Sequence, residues 1–248
     1  MAKKHLLLIH GFLENAAMWQ PITSRISAKN YKILTPELAG HGKRTMINGK
    51  ITIAKFAADI YEQLNWKKGD RAIVIGHSMG GYVAIELCKL LGEDVSASCL
   101  FHSTAMTDSE VKRADRQRAI DAAVANQSLY IRTVITSLFA EKKRVKLREQ
   151  IEQNIADANA MKLDAITASI SAMRERETQI EFLQQRHFPL YYFLGTEDAR
   201  LPLQDMKTEL DMLKGAVSEI AEKTGHMGHF ECPQQAADFI QRIIRADM

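Results

Sequence analysis

The sequence predicts an α/β fold, a mostly parallel sheet of about six strands covered by helices on both faces, and three observations predict it. Short apolar runs alternate with longer segments of helical period. One interval between two of the runs is far longer than a crossover helix requires. The run from Ala72 to Gly81, AIVIGHSMGG, carries a buried-type strand through a glycine-flanked serine into a helix.

The apolar runs are residues 5–9, 31–35, 71–75, 97–101, 189–194 and 216–220. Between them lie stretches such as Ile53, Phe56, Ala57, Ile60, Tyr61 and Leu64, whose spacing places the apolar side chains along one helical stripe. Strands that read as near-continuous apolar runs belong to a parallel sheet buried on both faces. About 85 residues separate the fourth strand from the fifth, where a dozen suffice for a crossover. Ile131, Val134, Ile135 and Leu138, then Leu147, Ile151 and Ile155, then Ile166, Ile170 and Met173 recur there at helical spacing. The sequence therefore predicts one domain over residues 1–248 with a helical lid inserted at about 103–186, since no Pro-, Gly- or Ser-rich linker marks a boundary.

Composition narrows the function classes. At 248 residues the chain is near the upper size for one core, and 46% hydrophobic with 25% charged residues is a globular balance. The net charge of +3, with no basic block interleaved with aromatics, argues against a nucleic-acid surface. Cys88, Cys99 and Cys232 are odd in number and widely spaced, which argues against disulfides and a structural zinc site and fits the reducing cytoplasm. The apolar run 6–9 is too short for a signal segment, and no uncharged stretch reaches the roughly 18 residues of a membrane span.

The chemistry reads from the ends of the strands. Ser78 lies between a strand and a helix in G-x-S-x-G, a turn that holds the hydroxyl in the open. The helix that follows brings free N–H groups towards developing negative charge. His10-Gly11-Phe12 follows the first strand, and the Phe12 and Met79 amides together are expected to form an oxyanion hole. A serine needs a base, and the base needs an acid to fix its tautomer. After the fifth strand comes Gly195-Thr196-Glu197-Asp198, and after the sixth Gly225-His226-Met227-Gly228-His229. His226 is favoured over His229 because it comes first in a glycine-flanked loop. Asp198 is favoured as the acid, with Glu197 beside it and Asp108, after the preceding strand, as alternatives. His77 is expected to point away from the serine. His226-x-x-His229 with Glu231 and Cys232 lacks a common zinc spacing, so no metal is expected.

These residues resemble the α/β-hydrolase superfamily over nearly the whole length. The likeness rests on HGF after the first strand, PELAGHG at 36–42, GHSMGG at the serine, the Gly195 to Asp198 loop, and Gly225-His226 followed by Glu231-Cys232-Pro233. The resemblance implies a nucleophile at Ser78, an acid at Asp198, a base at His226 and oxyanion amides at Phe12 and Met79. It also implies a fold that here lacks the family's opening antiparallel hairpin, since so few residues precede the first strand. A serine at position 78 separates the chain from the aspartate-using dehalogenase and epoxide-hydrolase branches. Within the superfamily it is most similar to small lidded carboxylesterases, including the kind that cleaves a pimeloyl-carrier methyl ester, and more loosely to the menaquinone-pathway lyase.

The function expected is hydrolysis of a small-molecule carboxylic ester through an acyl-enzyme, without a cofactor. The alternatives are a lyase using the same groups and a non-catalytic ligand-binding homologue. His10, Leu13, Trp19, His41 and Met106 are the expected pocket residues, beside the lid. The basic run at 142–148 suits an acidic carrier protein, although Glu141, Glu149 and Glu152 nearby also fit a solvated helix face.

Overall fold

The computed structural model describes residues 3–248. Its six strands are β1 (Lys4–Ile9), β2 (Tyr31–Leu34), β3 (Arg71–His77), β4 (Val95–Phe101), β5 (Leu190–Gly195) and β6 (Val217–Ala221). They form one sheet in the order β2-β1-β3-β4-β5-β6, with every neighbouring pair parallel. Each predicted strand is present to within about two residues, and no antiparallel hairpin precedes β1 among the described residues.

Alternate strand residues enter two different packing layers, as a period of two requires. Leu6, Leu8, Ile73, Ile75, Cys99 and Phe101 face the layer of α1 (Gln20–Thr23) and α11 (Pro233–Ala246). Leu7, Ile9, Val74 and Leu100 face the layer of α2 (Ile53–Leu64) and α3 (Met79–Leu91). The amphipathic helix α11 buries Ala236, Ala237, Phe239, Ile240, Ile243 and Ile244, and burying each of the large apolar ones stabilises the fold by about 1.5–3 kcal/mol. The Thr52 hydroxyl starts α2 by accepting the Lys55 N–H at 3.1 Å. The sheet thus aligns the carboxyl ends of its strands along one rim, where α/β sheets hold their ligands.

The interval between β4 and β5 folds as α4 (Glu110–Ala125), α5 (Gln127–Leu138), α6 (Arg148–Asn159), α7 (Leu163–Arg174) and α8 (Ile180–Gln184). Helices α5, α6 and α7 carry the three predicted stripes. Helix α4 has no such stripe: only Ala123 is buried along it, so helix-forming residues and the Ser109 cap define it instead. This helical segment touches loops along the carboxyl rim. Asn15 donates to Asp157 at 2.9 Å, and the His226 N–H donates to the Leu138 carbonyl at 2.8 Å. The remaining α-helices are α9 (Leu203–Met212) and α10 (Gly228–Glu231). No helix is long and apolar enough to cross a membrane among the described residues.

Candidate active site

Ser78 sits at the junction of β3 and α3 with φ 50° and ψ −119°, a backbone state costly for any residue with a side chain. The flanking glycines make the turn feasible. A Cβ at Gly76 would overlap the Gly80 carbonyl, and one at Gly80 would overlap the carbonyls of Ile9 and His10. The Ser103 hydroxyl ties the turn down by donating to the Ser78 carbonyl at 2.7 Å. Met79 is the first residue of α3, so its N–H has no acceptor within the helix.

Three side chains meet beside this turn. The Ser78 hydroxyl lies 2.8 Å from His226 Nε2, and His226 Nδ1 lies 2.8 Å from Asp198 Oδ2. With Nδ1–H donating to the carboxylate, Nε2 is left to accept from the serine. Asp198 is almost fully buried, yet its Oδ1 also accepts the backbone N–H groups of Arg200 and Leu201 at 2.9 and 3.2 Å. Burial opposes its ionisation, but the neighbouring His226 and the imidazole hydrogen bonds outweigh burial and hold the carboxyl far below the usual carboxylate range.

The rival acids and base lie elsewhere. Glu197 is exposed, and Asp108 is occupied by Arg176 at 2.8 Å and Arg116 at 3.0 Å. His229 is buried against His77, Trp19 and Phe230 with neither ring nitrogen hydrogen-bonded among the described residues. Glu231 braces the His226 loop by accepting the N–H groups of Gly225, Ala140 and Met227.

Two further partners, Glu14 and His102, were not anticipated from the sequence. His77 does turn away from the serine, and its Nδ1 donates to Glu14 Oε2 at 2.9 Å while its Nε2 donates to the His226 carbonyl at 2.9 Å. With Glu14 ionised both partners only accept, an arrangement that suits an imidazolium paired with a carboxylate. Burial alone would strip its proton, but the Glu14 charge and hydrogen bonds outweigh burial and raise its pKa. The reciprocal effect holds Glu14 low despite its burial. Because Glu14 also accepts the Gly11 N–H at 2.6 Å, this pair fastens together the loops after β1, β3 and β6. The second group is His102, at the end of β4, whose Nδ1 lies 3.0 Å from Asp198 Oδ2.

The pocket expectations need correction. Trp19 is fully buried in the opposite layer, edge-on to Phe101 at 5.6 Å, because it belongs to the helical face under α11. Leu13 is buried, with φ 62°, in a tight turn. His10 is buried, its Nε2 accepting the Leu38 N–H at 3.0 Å and its Nδ1 donating to the Gly11 carbonyl. Burial keeps it neutral. His41 is buried too, donating to the Ala39 carbonyl, and burial drives its pKa down to about 3. These side chains hold the rim loops in shape. Phe12 is half-buried beside His41 and Met106 is exposed.

A metal would find His102, Asp198 and His226 with ligating atoms within 4.8 Å of one another. Both imidazoles already direct their Nδ1 atoms at the same carboxylate oxygen, so ring protons fill the space between the three. Glu231 of the alternative His226, His229, Glu231 and Cys232 set is taken by backbone N–H groups.

A sheet of this order, with a serine elbow after β3 and its partners after β5 and β6, is the arrangement of the α/β hydrolases. The model of the alpha/beta hydrolase family matches residues 6–239, and the chain belongs to that family. The pimeloyl-[acyl-carrier protein] methyl ester esterase of Aeromonas salmonicida is 22% identical over 96% of this chain and 94% of its own. A thermophilic esterase from Thermogutta terrifontis superposes with a TM-score of 0.88 at 22% identity, over 99% of this chain and 91% of that one. MenH from S. aureus superposes at 0.84 with 18% identity, over 100% and 95% of the two chains. Family and esterase relatives together support a hydrolase.

Proposed function

We propose that this protein hydrolyses a small carboxylic ester through a covalent acyl-enzyme. The observation that carries the reading is the unbroken row from the Ser78 hydroxyl through His226 to Asp198, with both links at 2.8 Å. His226 Nε2 takes the serine proton as Oγ attacks the ester carbonyl, and Asp198 stabilises the imidazolium that forms. The Met79 and Phe12 amides receive the oxyanion, aided by the positive end of α3. The imidazolium then protonates the leaving alcohol, and water repeats the steps to release the acid. In this reading α4 to α8 form a lid over the rim, with Phe12 and Met106 beside the acyl group.

Esters of graded acyl length, assayed with the parent and a Ser78→Ala variant, test the reading. Turnover by the variant is expected to fall about a thousandfold or more with an unchanged circular dichroism spectrum. Hydrolysis by Ser78→Ala at the parent rate would overturn it.

A further inference from the structure

Asp198 Oδ2 receives two imidazoles, not one. His226 Nδ1 approaches it at 2.8 Å and His102 Nδ1 at 3.0 Å. His102 directly follows β4, 96 residues from Asp198 in sequence, and is fully buried with a left-handed backbone of φ 46°. Few residues with a side chain adopt a positive φ. Its Nε2 has no hydrogen-bond partner among the described residues. The ring's one hydrogen-bonding contact is therefore the carboxylate.

Resting on the reading of Ser78, His226 and Asp198 given above, we propose that His102 is a positioning residue. It donates Nδ1–H to Asp198 Oδ2, fixing the carboxylate towards His226 and drawing off part of its negative charge. The ring is neutral, with its proton on Nδ1, because Oδ2 can only accept and Nε2 has nothing to donate to. Burial, working against the pull of Asp198, lowers its pKa to about 4, which keeps it neutral in the working range.

The electrostatic surroundings set the sign of the effect. His102 faces Asp198 from the loop after β5, His226 from the loop after β6, and His77 at the end of β3, with His229 of α10 close by. His77 is cationic but is balanced by Glu14. Asp198 is thus the one uncompensated anion facing His226, and a second donor on its oxygen weakens its hold on the imidazolium. Without His102 the imidazolium is favoured, so the acid limb of kcat/KM moves to higher pH.

The test compares parent, His102→Leu and His102→Asn on a p-nitrophenyl ester between pH 5 and 9, with Ser78→Ala as control. Leucine fills the space without a donor, whereas the asparagine amide nitrogen stands near the Nδ1 position and tolerates positive φ. His102→Leu is expected to lose about tenfold or more in kcat with KM within about twofold, and to shift the acid limb upward. His102→Asn is expected to regain most of both. Nitrogen-15 spectra of the parent at pH 7 are expected to show His102 protonated at Nδ1 and bare at Nε2, a readout that needs no variant. A His102→Leu profile matching the parent, an asparagine variant as impaired as leucine, or a proton on Nε2 would overturn the proposal. Should Ser78→Ala remain active, the underlying reading fails first; an inactive Ser78→Ala beside an unchanged His102→Leu removes the role of His102 alone.

Discussion

Replacing Glu14 by Gln removes the charge opposite His77 while preserving shape. The amide oxygen can still accept the Gly11 N–H and one ring N–H, so the loss is that of the counter-ion. In the parent, His77 and Glu14 are paired at 2.9 Å with side chains 1% and 4% exposed, and the histidine pKa is raised from its ordinary 6.5. Without the carboxylate, burial prevails and the ring sheds its proton. One remaining N–H then serves two acceptors, which costs about 1–3 kcal/mol even at high pH. The pH dependence is sharper. A histidine raised in the folded state stabilises the parent fully below 6.5, and that contribution fades as pH rises through the folded value. In the variant the folded ring is neutral while the unfolded ring still takes a proton below 6.5, so the variant weakens as pH falls. The gap between the two proteins therefore widens by about 1.4 kcal/mol per pH unit below 6.5, or about 2 kcal/mol by pH 5. Glu14, lowered in the parent, stabilises above its ordinary 4.5 and leaves this window unaffected. Groups common to both proteins cancel in the difference. Urea unfolding of both proteins at pH 5, 6, 7 and 8, followed by tryptophan fluorescence, measures it. A gap that stays constant or narrows towards pH 5 would refute the imidazolium assignment.

Two substitutions at the row of three follow from the same geometry. Asp198→Asn puts a neutral amide where two imidazoles donate, and turnover is expected to fall about 10³–10⁴-fold; stopped-time assays showing less than a tenfold loss would count against Asp198 as the acid. Ser78→Gly relieves the φ 50° strain that Ser78→Ala retains. The relief of about 1–3 kcal/mol exceeds the roughly 0.5–1 kcal/mol that glycine loses through the unfolded chain. Thermal melts should place the inactive glycine variant above the inactive alanine one, and the reverse order would show that the elbow is unstrained.

The six strands were legible because a parallel sheet buried on both faces writes itself as apolar runs, and RAIVIGH and KHLLLI could form little else. The meeting of Ser78, Asp198 and His226 was legible because each follows one of those runs. Helix α4 was not, since a helix with one buried residue leaves no stripe to read. Nor was the layer of Trp19, which depends on how the chain after β1 turns beneath the sheet. The partners Glu14 and His102 were invisible for a different reason. Their meaning lies in contacts with His77 and Asp198 across 63 and 96 residues, and neither residue carries a local pattern.

Those long-range partners explain how four clustered histidines share two carboxylates without conflict. His77 spends both N–H groups on Glu14 and the His226 carbonyl, His226 and His102 each spend one on Asp198, and His229 spends none. Burial drives the pKa of His229 well below its ordinary value, so it adds no competing charge. The His77 and Glu14 charges cancel, leaving Asp198 as a single unbalanced negative charge in the resting cluster. In the proposed reaction, the proton leaving Ser78 turns His226 into the cation that balances it. On the proposed mechanism the fixed charges are set for the state formed during attack, and the largest electrostatic gain would arrive with the transition state, where it would lower the barrier.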